Sequence, residues 1–160
     1  MVFCSNVYAD GVDLPDDTFG PGIKYIVLEN AEGSLYDATG YRTGVEVNDS
    51  ASYVVSFFKE KELVTVRRDG NILGNDAVVA TNDFVCIVNS ENLITDSISI
   101  VVKADTSGDG KISSIDYFKV KKAFENSFYL RGCYAKAGDM NNDGVLNASD
   151  YLKLKRVFLG

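Results

Sequence analysis

The stretch Asp105-Thr-Ser-Gly-Asp-Gly-Lys-Ile-Ser-Ser-Ile-Asp116-Tyr-Phe-Lys-Val-Lys-Lys-Ala-Phe124 returns 34 residues later as Asp139-Met-Asn-Asn-Asp-Gly-Val-Leu-Asn-Ala-Ser-Asp150-Tyr-Leu-Lys-Leu-Lys-Arg-Val-Phe158. Eight of the twenty positions are identical, among them the aspartates at 105/139, 109/143 and 116/150 and the glycines at 110/144. The segment is therefore a duplication. Two copies are too few for a solenoid, so a pseudo-twofold pair packed face to face is expected. Tyr117, Val120 and Phe124 fall at i, i+3 and i+7, as do Tyr151, Leu154 and Phe158. That spacing predicts helices from about Ser114 to Asn126 and Ser149 to Leu159, each with its apolar stripe facing the core.

The Asp-rich part of each copy has the spacing of a calcium loop of the EF-hand type. A hard cation wants six to eight oxygens, and loop positions 1, 3 and 5 supply them from Asp105, Ser107 and Asp109 in copy one and from Asp139, Asn141 and Asp143 in copy two. Gly110 and Gly144 at position 6 allow the sharp turn. Position 7 gives only its backbone carbonyl, so residues as different as Lys111 and Val145 are tolerated there. Ser113 and Asn147 at position 9 act through water in such loops, and Asp116 and Asp150 close the shell at position 12 where a longer Glu is usual. Ile112 and Leu146 tie each loop to the core. Two calcium ions are the expectation, the first site, with Ser107 at position 3, the weaker. They would move the net charge of the whole chain from −7 to about −3. A full EF-hand has a helix before its loop, yet Ile98 to Lys103 alternates like a strand and enters Asp105 directly. The expectation is therefore two half EF-hands, each a loop and its exiting helix.

Outward from the duplication the chain changes character. Residues 1–104 carry 16 acids and 7 bases, hence −9, whereas residues 105–160 carry 7 acids and 9 bases, hence +2. Tyr25 to Glu29, Leu63 to Arg67, Phe84 to Val88 and Ile98 to Val102 are short β-branched or aromatic runs between Asn, Asp and Gly breaks, and they read as strands. Asp69-Gly70 reads as a hairpin turn. Ser50 to Lys61 changes period: with Asp49 or Ser50 as N-cap, Val54, Phe57 and Phe58 lie on one helical face. One helix on a small, mainly antiparallel sheet follows. The boundaries read as a lead-in or linker over 1–22, a β-rich α+β module over 23–104 and an all-α module over 105–160.

Composition removes several functions. At 46% apolar and 24% charged residues the chain falls in the globular class, with no run long enough to span a bilayer. Met1 to Asp10 lack the basic and apolar regions of a signal peptide, as in a mature or excised fragment. Without histidine there is no Ser-His-Asp or Cys-His nucleophile and no His-ligated zinc. A net charge of −7 argues against binding a phosphate backbone. Cys4, Cys86 and Cys133 form no CxxC; they read as buried thiols, or as a Cys4–Cys86 disulfide in an exported chain.

Loop plus exiting helix, repeated after a connector, resembles a type I dockerin, the module by which secreted proteins of anaerobic bacteria plug into cohesins on a scaffoldin of a cellulosome, the polysaccharide-degrading complex. The resemblance rests on residues 105–160, where the duplicated loop, Asp at position 12 and the Lys/Arg pairs all match. It implies calcium-dependent protein–protein docking, no catalytic residues, an extracellular or cell-surface location, and a monomer or a heterodimer with cohesin. It puts the cohesin contact on Ser114, Ile115, Lys121 and Lys122 in copy one and on Ala148, Ser149, Lys155 and Arg156 in copy two. The basic residues also fit plain solvated helix faces; a net +2 suits an acidic partner. Ser-Ile and Ala-Ser differ in shape and polarity, which implies one preferred docking orientation with Ile115 as anchor. Thr43 to Val102 is similar to the small β-rich X-modules that precede dockerins. If so, Ile98 to Val102 runs straight into Asp105 and the two modules move as one body.

Three other readings compete. A calcium sensor would expose a Met-rich groove, but only Met1 and Met140 exist. The 23 carboxylates admit a glycosidase acid pair by number, though none stands on an aromatic-lined motif. Residues 23–104 could instead bind carbohydrate through exposed Tyr36 or Tyr41, leaving the calcium repeats purely structural.

Overall fold

The structure, a computed structural model, describes residues 41–58 and 60–160. The elements run β1 (Arg42–Val45), α1 (Ala51–Ser56), β2 (Val64–Arg68), β3 (Asn71–Ile72), β4 (Phe84–Val88), β5 (Ile94–Val102), α2 (Ser114–Phe124), α3 (Gly132–Gly138) and α4 (Ala148–Leu159). The lead-in over 1–22, the strand at Tyr25–Glu29, the Cys4 partner for Cys86 and the Tyr36 platform fall outside the described residues.

The five strands form one sheet in the order β1-β5-β4-β2-β3. β4 pairs antiparallel with both β2 and β5, as their continuous β-branched runs lead one to expect. Asp69 (φ 50°) and Gly70 (φ 80°) make the two-residue link of the β2–β3 hairpin; two left-handed residues in succession match the right-handed twist of the strands. β1 was not legible: Arg42-Thr-Gly-Val carries one apolar residue and a glycine, and it adds parallel to β5 at the sheet edge.

The alternation of β5 divides its side chains between two cores. Ile98, Ile100 and Val102 join Val54 and Phe58 around α1, whereas Val101 faces α3 and packs with Tyr41, Cys133 and Ala137. Ser50 caps α1 by accepting from the Tyr53 N–H. The helix stops at Ser56, short of the Lys61 end of the stretch read as helical. Its end tightens to i→i+3 bonds, Phe57 N–H to Val54 O and Phe58 N–H to Val55 O, and Ser56 Oγ turns back to the Tyr53 carbonyl. That tighter exit delivers Phe58 into the core with no exposed surface.

Sheet and helices share side chains and backbone bonds. Ala104, the residue between β5 and Asp105, is buried at φ 71°, and its N–H donates to the Ala137 carbonyl at 3.0 Å. Cys133 lies in the seam, its thiol 3.5 Å from Asn82 Oδ1. Tyr41, expected as an exposed sugar platform, is instead buried there, so that role is withdrawn. Burial pushes the Cys133 thiol up to about 11. Fewer thiolates and a closed seam together should make Cys133 alkylation by iodoacetamide at pH 8 at least about tenfold slower in the native chain than in urea, read by peptide mass spectrometry. Equal rates would mean the seam is open.

Candidate functional site

Each Asp-rich loop is built from backbone that only certain residues accept. Position 6 sits at φ 76° in Gly110 and 81° in Gly144, and position 4 at 80° in Gly108 and 60° in Asn142, the non-glycine residue that tolerates that region best. The position-1 aspartates then reach forward over the turn. Asp105 Oδ1 accepts from the N–H groups of Gly108 and Asp109, and Oδ2 from Gly110. Asp139 likewise accepts from Asp143 and Gly144.

The position-12 aspartates do two jobs at once. Asp116 Oδ1 accepts from the Ser107 N–H across the loop, and its Oδ2 accepts from the Ser113 N–H. Ser113 Oγ in turn accepts from the Ile115 N–H, so loop closure and the N-terminal capping box of α2 are one structure. Asp150 repeats this with Met140, Asn141 and Asn147, and Asn147 caps α4 through Ser149. Position 9, expected to act through water, is thus occupied as a helix cap in both copies.

Burial makes the electrostatics decisive. Asp105, Asp116 and Asp150 have no exposed surface and Asp139 only 3%. Among the described residues none of the four makes an ion pair; the pairs present are Arg68–Asp83 and Lys121–Glu125. Buried carboxylates in that state need either protons or a cation. Asp139, Asp143 and Asp150 bring one oxygen each within 4.8 Å of the others, a spacing fit for a cation. The corresponding trio of loop 1 does not converge as closely among the described residues. Each buried carboxylate accepts between two and four backbone N–H donors. Lys111 and Val145 point outward, leaving only their carbonyls available to the loop.

The loops differ in how the chain enters them. β5 feeds loop 1 directly, as expected, but α3 runs into Asp139, so loop 2 is a complete helix-loop-helix and not half of one. α3 was missed because Gly132-Cys-Tyr-Ala-Lys-Ala-Gly has too few large apolar residues to show a period. Its Gly138 lets the elements approach closely: a Cβ there would lie 3.1 Å from Leu146 and from Val120, which would have to give way.

α2 and α4 pack against one another through Val120 and Leu154. The Tyr117 and Tyr151 hydroxyls bond across the pseudo-twofold, and the Tyr117 ring stacks on Phe158. Of the partner residues the sequence singled out, Ser114, Ile115, Ala148, Ser149, Lys155 and Arg156 are exposed and Lys121 and Lys122 half-buried. Lys121 reaches Glu125 at 3.8 Å, and Lys122 Nζ lies 5.4 Å from the centre of the Phe118 ring. Sequence reasoning passed over Phe118 (54% exposed) and its counterpart Leu152 (51%), one turn after Ile115 and Ser149. The signal was available: both fall outside the i, i+3, i+7 core stripe, and large apolar residues there have no core to face.

Residues 103–159 match the dockerin type I domain. They form a dockerin module, the non-catalytic, calcium-binding docking element of extracellular cellulosome components. No curated protein and no solved structure matches the chain. Among the described residues no helix is long and apolar enough to cross a membrane. Asp150→Ala removes the cap and the loop bridge together, so it should lower stability by about 1–2 kcal/mol in urea unfolding even in chelator, where calcium plays no part.

Proposed function

We propose that residues 103–159 attach this chain to a cohesin module of a scaffoldin, and that two calcium ions are required for the attachment. The observation that carries the calcium reading is the set of buried aspartates whose carboxylates make no ion pair among the described residues. Asp105, Ser107, Asp109, the Lys111 carbonyl and Asp116 would hold one ion, and Asp139, Asn141, Asp143, the Val145 carbonyl and Asp150 the other. All are hard oxygens, the donor type calcium takes. Bound calcium supplies the positive charge these buried carboxylates lack. Each position-12 aspartate also completes the capping box of the helix that follows, bonding back to the N-cap backbone N–H, so the loops and the docking helices are ordered together. In this reading the chain comprises a lead-in over 1–22, an X-module-like domain over 23–104 and the dockerin over 105–160. It is not itself an enzyme.

The docking face of copy one is the outer side of α2: Ser114, Ile115, Phe118, Lys121 and Lys122. Copy two offers Ala148, Ser149, Leu152, Lys155 and Arg156 on α4. Ile115 and Phe118 together present an apolar patch rimmed by lysines, the composition of an interface centre with its polar edge. The α4 face has Ser149 where α2 has Ile115. This favours docking through α2, and Ile115→Ala or Phe118→Ala should weaken binding about tenfold or more while Ser149→Ala changes it little. Equal losses would remove the preferred orientation.

The direct test immobilises the whole chain and captures from a panel of cohesins in calcium and again in chelator. Capture that disappears in chelator is the expected result. Two ions bound with no cohesin retained would sink the docking assignment.

A further inference from the structure

Loop 1 does not stand alone. The segment between β3 and β4, residues 78–83, lies against it. The Thr81 N–H donates to Asp105 Oδ2 at 2.9 Å, the same oxygen that Gly110 engages. The contact is tight: a Cβ on Gly108 would lie 3.0 Å from the Thr81 carbonyl and from the Tyr134 ring, and one on Gly110 would lie 3.1 Å from the Val79 carbonyl, so those neighbours would have to shift. The equivalent Gly144 of loop 2 faces open space.

The segment is itself held from within the sheet. Arg68 forks onto Asp83, Nε to Oδ1 at 2.8 Å and Nη2 to Oδ2 at 2.7 Å, and Nη2 also reaches the Val78 carbonyl. Asp83 Oδ2 accepts from the Ala80 N–H, so one ion pair fixes both ends of the turn. Thr81 Oγ1 exchanges bonds with the N–H and carbonyl of Val102 at 3.1 Å, tying the turn to the end of β5.

We infer that residues 78–83, latched by Arg68–Asp83, are a working part of the first calcium site: they orient Asp105, so that ion affinity at loop 1 is coupled to the fold of the β-rich domain. The inference rests on the calcium reading above. A ligand carboxylate whose orientation is fixed by a donor from the sheet in addition to those of its own loop loses less freedom when it binds. Among the described residues the Asp139 carboxylate receives no donor from the sheet; Lys103 at the end of β5 reaches loop 2 only at the Asp139 carbonyl and Asn142 Oδ1, so the orientation of that carboxylate lacks this support. By linkage, whatever the domain adds to ion affinity the ion returns as stability of the domain. Thr81 and Arg68 are positioning residues.

Calcium titration calorimetry on the full chain tests this. Gly108→Asn introduces the residue that loop 2 carries at the same position, at φ 60°, so the backbone tolerates it while the Cβ wedges Thr81 away. Arg68→Met releases the latch from the other side. Each is made in an Asp143→Ala background, which leaves loop 1 to be read alone, and in an Asp109→Ala background, which leaves loop 2. Both variants should weaken loop 1 about tenfold and leave loop 2 unchanged. Calcium should also slow hydrogen exchange at the Thr81 and Val102 amides, a readout independent of docking. Unchanged loop 1 affinity in Gly108→Asn, with the circular dichroism of the parent, overturns the inference while leaving the calcium reading intact. No calcium uptake by the unmodified chain overturns that reading itself.

Discussion

Burying an aspartate removes its water, and in each loop of this chain two aspartates are buried with no ion pair to their carboxylates among the described residues. Everything about the C-terminal third follows from satisfying those groups. Backbone N–H donors converge on them, which forces the left-handed turns at Gly108, Gly110, Asn142 and Gly144. Two of these carboxylates, Asp116 and Asp150, also complete the capping boxes of α2 and α4 with Ser113 and Asn147, so the helix starts are fixed by the loops and not by their own propensity. Charge compensation, loop shape and helix register are three views of one constraint.

The second organising feature is the absence of any spacer between β5 and loop 1. Ala104 turns the chain through a left-handed conformation that an alanine adopts at some cost, and its N–H is held by Ala137. From there the outer face of β5 and α3 share Tyr41, Val101, Cys133 and Ala137. A docking module appended by a flexible tether would leave such a seam wet. Here the seam is apolar, and the orientation of the helices is set by the sheet.

The duplicated loops were legible because their chemistry is local: oxygens at fixed spacing, glycine where φ is positive, and a carboxylate at position 12. β4 and β5 were legible because a β-branched run announces itself. What escaped depended on neighbours far along the chain. β1 reads as polar because half of it faces outward at an edge, and Arg42 within it is buried with its guanidinium 5.0 Å from the Phe57 ring. α3 is a helix of small residues that earns its place only against Val101 and Leu146. Thr81 offers loop 1 a backbone N–H, which no side-chain pattern can encode. Lys103 crosses to the Asp139 carbonyl and, at 2.7 Å, to Asn142 Oδ1, a contact spanning more than thirty residues.

The place of β5 in the sheet bears on mechanical load. A pull on the helices is handed directly to the end of β5, which is not an edge strand: β1 runs parallel on one side and β4 antiparallel on the other. Force along the strand axis therefore loads both hydrogen-bond ladders in shear, many bonds at once, and does not peel them open singly. Tension entering through the helices is spread across the sheet before it reaches the turns, and the strand that transmits it is the one with partners on both flanks.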